Sequence, residues 1–157
     1  MPEKKPQGIS LRESTKDDLD FLYNVSTEAM RFVREKSSPE KIRDKAEERA
    51  EYEKTFSGKK VEIVQFNGQD VGRLRVMRSL ESIYIGGIQI LPEFQSKGIG
   101  TEIFKDLIEE SERTKLPIVL EVHNVNEVAK KFYLNLGFIE GEKVGDQMVL
   151  RYFPKSE

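Results

Sequence analysis

An Asn-Gly pair near the middle of the chain separates two runs that have the composition of β-strands. Residues 61–66 and 71–77 are rich in aliphatic side chains, and Asn67 with Gly68 readily supplies the positive φ angles of a tight hairpin. A third strand is predicted at residues 82–91, where Gly86 and Gly87 are typical of a bulge or of a close backbone approach. Three consecutive strands therefore form the centre of the predicted fold.

Helical patterns lie on both sides of these strands. Ser14 or Thr15 can cap a first helix, and a second, strongly charged helix is predicted at residues 40–56. The apolar stripe of the first helix consists of Leu19, Leu22, Tyr23, Ala29 and Met30. A third helix begins near Gly98 and ends before Pro117. Its apolar face consists of Ile99, Ile103, Phe104, Leu107 and Ile108.

The remaining segments complete an alternation of strands and helices. Further strands are predicted at residues 9–12, 118–123, 138–142 and 147–153, and a short helix at residues 126–135 has Gly137 as its C-cap. The order β-α-α-β-β-β-α-β-α-β-β predicts a mixed α/β fold. We expect a flexible start at residues 1–8 and one domain over residues 9–157.

The composition excludes several classes of chemistry. The chain has no cysteine and a single histidine, His123, which excludes disulfides, thiolate zinc sites, a cysteine nucleophile and a histidine metal cluster. We therefore expect no metal cofactor. A formal net charge of -2 argues against a nucleic-acid partner, and the longest mainly apolar stretch, residues 83–91, is too short to span a membrane. No signal-peptide pattern opens the sequence, so we expect a cytoplasmic location.

A glycine-rich turn joins the third central strand to the third helix. Gly98 and Gly100 remove side chains where the first N–H groups of the helix lack intrahelical partners, and the helix dipole adds partial positive charge there. This pattern is typical of an anion site, to which Ser96, Lys97 and Thr101 could add donors. A tight turn without a ligand is the alternative. A dinucleotide fingerprint would need glycine or alanine at Ile103, and a Walker loop would need Gly-Lys-Ser/Thr, so neither fits.

Two patterns in the chain resemble the GNAT superfamily of N-acetyltransferases. The signature Gln/Arg-x-x-Gly-x-Gly/Ala is matched by Gln95, Gly98 and Gly100, between a predicted strand and helix. A second pattern, Asn-x-x-Ala-x-x-x-Tyr-x-x-x-Gly-Phe, is matched by Asn126, Ala129, Tyr133, Gly137 and Phe138. The resemblance implies an acetyltransferase domain that uses acetyl-CoA. It also implies a mixed, mostly antiparallel sheet of six to seven strands with about four helices.

The same resemblance implies where the cofactor binds. Backbone groups of Ile88, Gln89 and Ile90 would pair with the pantetheine arm as an added strand, although Ile88 and Ile90 also suit plain core packing. The diphosphate would be bound by the turn and the start of the helix, at Gln95, Ser96, Lys97, Gly98, Ile99, Gly100 and Thr101. Asn126 would help to position the cofactor.

Acetyl transfer to an amine needs a neutral nucleophile and a stabilised thiolate leaving group. A lysine-like amine with a pKa of about 10.4 costs about 4.6 kcal/mol to present uncharged at pH 7, so a base is useful. Strand alternation puts Val119, Glu121 and His123 on one face. The segment from Leu120 to Val122 resembles the ribosomal-protein alanine N-acetyltransferases, in which the matching glutamate is the base. Glu121 is therefore the predicted base, with His123 or water as rivals and a plain solvent-facing role as the alternative.

Tyr133 is the predicted donor to the departing CoA thiolate, because a phenol can offer it a hydrogen bond or a proton. Packing inside the protein is its alternative role. Without a cysteine, direct attack in a ternary complex is the simplest mechanism. We thus expect an N-acetyltransferase acting on a primary amine of a small molecule, peptide or protein, with a non-catalytic acyl-CoA-binding module as the alternative. Arg73 and Arg75 share a strand face and suit either an anionic part of the acceptor or cross-strand charge pairing, and a homodimer is compatible with the sequence.

Overall fold

The computed structural model describes residues 8–29, 31, 45–56 and 60–155. These contain, in chain order, β1 (Ile9–Glu13), α1 (Leu19–Ala29), α2 (Lys45–Phe56), β2 (Glu62–Phe66), β3 (Gln69–Arg78), β4 (Ile83–Ile90), α3 (Ile99–Thr114), β5 (Ile118–His123), α4 (Glu127–Asn135), β6 (Ile139–Val144) and β7 (Gln147–Tyr152). The predicted element order is confirmed. Residues 1–7 of the predicted flexible start, Met30 of the first stripe and residues 40–44 of the predicted second helix lie outside the described residues.

The seven strands form one sheet in the order β1-β2-β3-β4-β5-β7-β6. β4 and β5 are parallel, whereas β1 with β2, β2 with β3, β5 with β7, and β6 with β7 are antiparallel. The predicted mixed, mostly antiparallel sheet with four helices is therefore confirmed. β5 pairs with β4 from Ile118 to Leu120, but it pairs with β7 over its whole length, from Ile118 to His123.

The hairpin between β2 and β3 has the backbone that its Asn-Gly pair predicts. Asn67 has a φ of 54° and Gly68 a φ of 80°, so both central residues of the turn are left-handed. Near the turn the register shifts, because Val64 lies opposite Gly72 while Gln65 lies opposite Asp70. One residue of β3 is thus extra in the ladder, which is the definition of a β-bulge.

Gly72 lies at this bulge, where the backbone of β3 comes unusually close to β4. A Cβ built on Gly72 would lie 2.4 Å from the carbonyl oxygen of Gln89 and 2.7 Å from Cδ1 of Ile90. Beside this close approach, the Leu91 N–H donates a backbone hydrogen bond to the Val71 carbonyl at 2.8 Å. Only glycine fits at residue 72 without a shift of the neighbouring strand. The bulge or close backbone approach that the sequence predicts at Gly86 and Gly87 stays a prediction.

The chain divides into two compact units, and the first contains residues 1–75 and 88–99. Its core includes Leu22 of α1, Ile63 of β2 and Val61, which immediately precedes β2. Tyr52 of α2 packs against this cluster. Val25 is also fully buried, although the predicted stripe omitted it. α2 has mostly exposed side chains over the part whose burial is described, as its charged sequence predicts.

An ion cluster in this unit joins β1 to the turn before α1 and to β3. Arg12 donates to both carboxylate oxygens of Asp18, at 3.0 and 2.9 Å, and to Asp70 at 2.9 Å. Thr15 and Asp18 also form a capping box at the start of the 3-10 turn Lys16–Asp18. The Arg12 guanidinium lowers the pKa of Asp18 and of Asp70 by hydrogen bonding.

This ion cluster gives folding stability a defined acid dependence. A carboxyl whose folded pKa lies below its unfolded value of about 3.9 contributes stability above that value and loses it as pH falls through the folded pKa. We expect Arg12→Met to remove this contribution, so the stability difference between parent and variant should shrink as pH falls below about 4. Urea unfolding of both proteins at neutral pH and at about pH 3 measures the difference. A difference of the same size at both pH values would contradict this assignment.

The second unit contains residues 76–87 and 100–157, and aromatic rings fill its centre. The Phe104 ring lies edge-on to Phe132 at 5.9 Å, to Tyr133 at 5.3 Å and to Phe138 at 6.0 Å between centroids. Most of the predicted apolar face of α3 is buried, and only Ile108 is half-buried. Within the described ranges, no helix has both the length and the apolar character needed to cross a bilayer.

Candidate cofactor-binding and catalytic residues

The turn between β4 and α3 has the backbone of an anion-binding nest. After a 3-10 turn at Pro92–Phe94, Ser96 has a φ of 67° and Gly98 a φ of 82°, both left-handed, and α3 begins at Ile99. Residues 95–98 are exposed, and in the described part of the chain the N–H groups of Ser96, Lys97 and Gly98 donate to no backbone carbonyl. Left-handed residues in a turn present successive N–H groups to one anion. A helix N-terminus follows immediately, so this turn can bind a phosphate group.

Gln95, the first residue of the signature, has a structural role that the sequence pattern did not reveal. Its side-chain Nε2 donates to the carbonyl oxygen of Ile90 at 2.9 Å. This bond fastens the turn to the last residue of β4. Ile88, Gln89 and Ile90 are half-buried, and the Oε1 of Gln89 is buried without a hydrogen-bond partner among the described residues.

Gly100 and Thr101 form the first turn of α3. The nearest atom to a Cβ built on Gly100 is Cζ of Phe132 at 3.6 Å, which is an ordinary contact. Gly100 is therefore not required for packing against the described residues. The space above this glycine is compatible with the close approach of a ligand.

Glu121 is exposed on β5, and its carboxylate accepts a hydrogen bond from a tyrosine. The strand buries Ile118, Leu120 and Val122, as the predicted alternation requires, which leaves Glu121 on the other face. The hydroxyl of Tyr84 donates to Oε2 of Glu121 at 2.9 Å. Sequence analysis missed this partner, because the two residues lie 37 positions apart.

His123 is held by hydrogen bonds at both ring nitrogens. Nδ1 accepts the N–H of Val125 at 3.2 Å, so the ring proton lies on Nε2, which donates to Oδ2 of Asp146 at 3.1 Å. The side chain of His123 is 11% exposed. These contacts tie the end of β5 to the turn between β6 and β7. They favour a structural role for His123 over the rival role as base.

Asn126 caps the N-terminus of α4. Its Oδ1 accepts the N–H of Ala129 at 3.2 Å, which satisfies one of the free donors of the first turn. The Asn-x-x-Ala part of the second pattern is therefore a helix start. The residue is half-buried, and its predicted contact with the cofactor stays a prediction.

The other end of α4 is a Schellman motif that includes Tyr133. The Phe138 N–H donates to the Tyr133 carbonyl and the Gly137 N–H donates to the Leu134 carbonyl, both at 3.1 Å. Gly137 has a φ of 106° and follows the cap residue Leu136, one residue later than a C-cap in the strict sense. The Tyr133 and Phe138 rings pack at 5.6 Å. The Tyr-x-x-x-Gly-Phe part of the pattern is thus a helix stop.

Tyr133 is buried among rings, and burial raises the pKa of its phenol above the ordinary value. The Phe132 ring is 5.3 Å away. Within the described residues, the hydroxyl of Tyr133 has no hydrogen-bond partner. A buried phenol of raised pKa stays protonated at neutral pH, so it can donate to a ligand atom.

Arg73 is a buried cation in the first unit. It is 4% exposed, its Nη1 donates to Oγ of Ser26 at 2.8 Å, and its guanidinium lies 5.9 Å from the Tyr52 ring centroid. Burial lowers its pKa, and the positive charge of Arg75 acts in the same direction. The residue directly opposite Arg73 on β2 is the apolar Ile63.

The predicted site residues fall in both compact units. Ile88, Gln89, Ile90 and the turn residues 95–99 belong to the first unit, and Gly100, Thr101, Glu121, Asn126 and Tyr133 belong to the second. Among the described residues, no group of three or more acidic, histidine or cysteine side chains is arranged to hold a metal ion.

Comparison with known families identifies the domain. The family model for the acetyltransferase (GNAT) domain matches residues 22–154, which is most of the chain. The chain belongs to the GNAT acetyltransferase family. The family predicted from the two sequence patterns is therefore confirmed.

Solved structures share the fold of this GNAT domain at low sequence identity. The PaiA N-acetyltransferase of Thermoplasma acidophilum, in complex with coenzyme A, has a TM-score of 0.71 and 15% identity, over 94% of this chain and 99% of that one. The ribosomal-protein-S18-alanine N-acetyltransferase of Escherichia coli has a TM-score of 0.65 and 17% identity, over 95% and 96%. YncA of Salmonella typhimurium, with its cofactor acetyl-CoA, has a TM-score of 0.58 and 19% identity, over 96% of both chains. Identities this low show a shared fold alone.

Proposed function

We propose that this GNAT domain is an acetyl-CoA-dependent N-acetyltransferase that acts on a primary amine of a small molecule or a protein. The observation that carries the proposal is the turn before α3, where Ser96 and Gly98 are exposed and left-handed beside a helix N-terminus, and their N–H groups donate to no backbone carbonyl of the described residues. Family membership supports acetyl transfer in general. Two neighbours of the same fold are described with coenzyme A or acetyl-CoA, which supports the choice of cofactor.

The residues of the turn suit the diphosphate of a coenzyme A group. Acetyl-CoA would supply the acetyl group as a thioester. The backbone N–H groups and side chains of Ser96, Lys97, Gly98, Ile99, Gly100 and Thr101 would bind the diphosphate. Gln95 would hold the turn against Ile90, and backbone groups of Ile88, Gln89 and Ile90 would pair with the pantetheine arm. Asn126 would help to position the cofactor from the start of α4.

In this proposal the two catalytic residues divide the proton chemistry. Glu121 would take the proton of the acceptor amine, directly or through a water molecule, as the amine attacks the carbonyl carbon. Tyr133 would donate a hydrogen bond to the departing thiolate sulfur. A thiol has a pKa of about 8.5, and burial raises the pKa of the Tyr133 phenol further above that value. A hydrogen bond to the thiolate therefore fits better than complete proton transfer. Direct attack in a ternary complex needs no acyl-enzyme.

Lys97→Glu tests the cofactor site with little risk to the fold. Lys97 is exposed in the turn before α3, so the variant should fold as well as the parent. We expect its acetyl-CoA affinity to fall about tenfold or more, or about 1.4 kcal/mol, because a carboxylate in place of an ammonium group repels the diphosphate. Titration calorimetry with acetyl-CoA measures the affinity. Lys143→Glu, at an exposed position of β6, is the matched control and should bind like the parent.

Two results would contradict the proposal. Equal acetyl-CoA affinity in the parent and in Lys97→Glu would show that this turn does not bind the diphosphate. Acetyl-CoA at one hundred times its Kd should raise the free energy of unfolding of the parent by about 2.7 kcal/mol. If it does not stabilise the parent, acetyl-CoA is not the cofactor. Release of the CoA thiol over a panel of amines then tests catalysis, and binding without thiol release would identify a non-catalytic acyl-CoA-binding module.

A further inference from the structure

Within the residues that the structure describes, the side chain of Glu121 accepts its hydrogen bond from the hydroxyl of Tyr84. The distance from the Tyr84 hydroxyl to Oε2 of Glu121 is 2.9 Å. A tyrosine hydroxyl that bonds a carboxylate acts as the donor, because an ionised carboxylate can only accept. One carboxylate oxygen of Glu121 is therefore engaged inside the protein, and Oε1 is the oxygen left for a proton from outside.

Strand register sets this contact. Tyr84 on β4 lies opposite Val119 on the parallel strand β5, and Glu121 lies two residues beyond Val119 on the same face. Two residues of a strand cover about 6.6 Å, which a phenol ring extended along the sheet can reach. The pair thus follows from the pairing of β4 with β5.

Buried neighbours fix the backbone on both sides of the contact. Ile83 and Ile85 flank Tyr84 and are 0% and 4% exposed. Leu120 and Val122 flank Glu121 and are 2% and 5% exposed. Glu121 itself is exposed and Tyr84 is half-buried, so burial of polar groups does not demand this bond. A hydrogen bond held by rigid strands on a solvent-facing surface is suited to orienting a carboxylate.

We propose that Tyr84 is a positioning residue, which holds Glu121 so that Oε1 faces the acceptor amine. The inference rests on the proposed function, in which Glu121 accepts the amine proton. As the amine nitrogen bonds to the acetyl carbon, the C–S bond of the thioester breaks and the CoA thiolate departs. The N–H bond of the amine breaks, and its proton goes to Oε1 directly or through a water molecule. Tyr84 keeps its own proton throughout and acts through Glu121.

A double-mutant cycle tests this role. Tyr84→Phe should lower kcat about tenfold, the size of effect that loss of a hydrogen bond to a charged group gives, and it should leave the KM for acetyl-CoA unchanged. In a Glu121→Gln background, Tyr84→Phe should have no further effect, because residues that act as a unit are not additive. The matched control is Tyr152→Phe, which removes another tyrosine-to-carboxylate bond, to Glu112 at 2.6 Å, and should leave kcat unchanged.

A spectroscopic measurement separates the bond from the activity. The side-chain carboxyl carbon resonance of Glu121, assigned by its loss in Glu121→Gln, should move in Tyr84→Phe and stay in place in Tyr152→Phe. An unmoved resonance in Tyr84→Phe overturns the inference, and so does a parent-like kcat. A parent that acetylates no amine on the panel overturns the proposed function, and this role of Tyr84 with it. If the parent is active and Tyr84→Phe has the same kcat, the role of Tyr84 is wrong while the proposed function stands.

Discussion

Tyr133→Phe is expected to lower turnover about a hundredfold while the protein folds normally, because the change removes the donor to the departing thiolate. The ring that packs against Phe104, Phe132 and Phe138 is retained. The lost hydroxyl has no hydrogen-bond partner within the described residues, so no internal bond is broken. Steady-state kinetics should show a lower kcat with little change in the KM for acetyl-CoA.

Acetyl thioesters with different thiol leaving groups make this test more specific. A more acidic thiol leaves as a more stable thiolate and needs less help, so the deficit of Tyr133→Phe should shrink with such a thioester. Phe132→Leu is the control for packing, since it alters the same ring cluster and keeps the hydroxyl. A Tyr133→Phe variant with the turnover of the parent would refute the donor assignment. A deficit that is identical for all thioesters would place the effect in a step other than departure of the thiolate.

Gly72→Ala is expected to cause the largest loss of stability, about 3 kcal/mol, because the new methyl group has no space. Its Cβ would lie 2.4 Å from the backbone oxygen of Gln89, and a backbone atom cannot move away by changing a rotamer. Urea unfolding measures the loss. The shift of β4 should also disturb Ile90, whose carbonyl accepts the Gln95 side chain, so acetyl-CoA affinity should fall in the folded fraction.

Two other glycines serve as controls for this effect. Gly68→Ala meets nothing within 4 Å, but it places alanine at a φ of 80°, so its cost of about 1–2 kcal/mol isolates backbone strain. Gly100→Ala has neither a close contact nor a positive φ and should be neutral or slightly stabilising. The order of stability should therefore be Gly100→Ala, then Gly68→Ala, then Gly72→Ala. If Gly72→Ala unfolds at the same urea concentration as the parent, the close approach of β3 to β4 is wrong.

The features of the fold that sequence predicts here are local ones. The turn at Asn67 and Gly68 depends on the φ angles of two residues, and the alternation in β5 depends on one strand, so each is readable from a short window. The close approach at Gly72 is not readable in this way. It results from a bulge in one strand and the position of another, and the sequence carries no indication of it at Gly72.

The same division holds for the candidate site. The turn before α3 carries its own glycine pattern and is where the sequence predicts it. The partners of the predicted residues are distant in sequence, as Tyr84 is from Glu121 and Asp146 is from His123. A single sequence has no signal for such pairs beyond strand alternation, which puts Tyr84 on the solvent-facing side of β4 and could have made it a candidate.

The helix stop at Gly137 and Phe138 has a consequence for how related chains are recognised. The backbone hydrogen bonds that end α4 require Gly137, and the packed rings of Tyr133 and Phe138 accompany them. The Tyr133 hydroxyl takes no part in either feature. A relative with phenylalanine at the position of Tyr133 would keep the same helix end and nearly the same sequence pattern. Detection of this pattern in a genome therefore reports architecture, and one oxygen atom separates a candidate enzyme from a protein that has the scaffold without this donor.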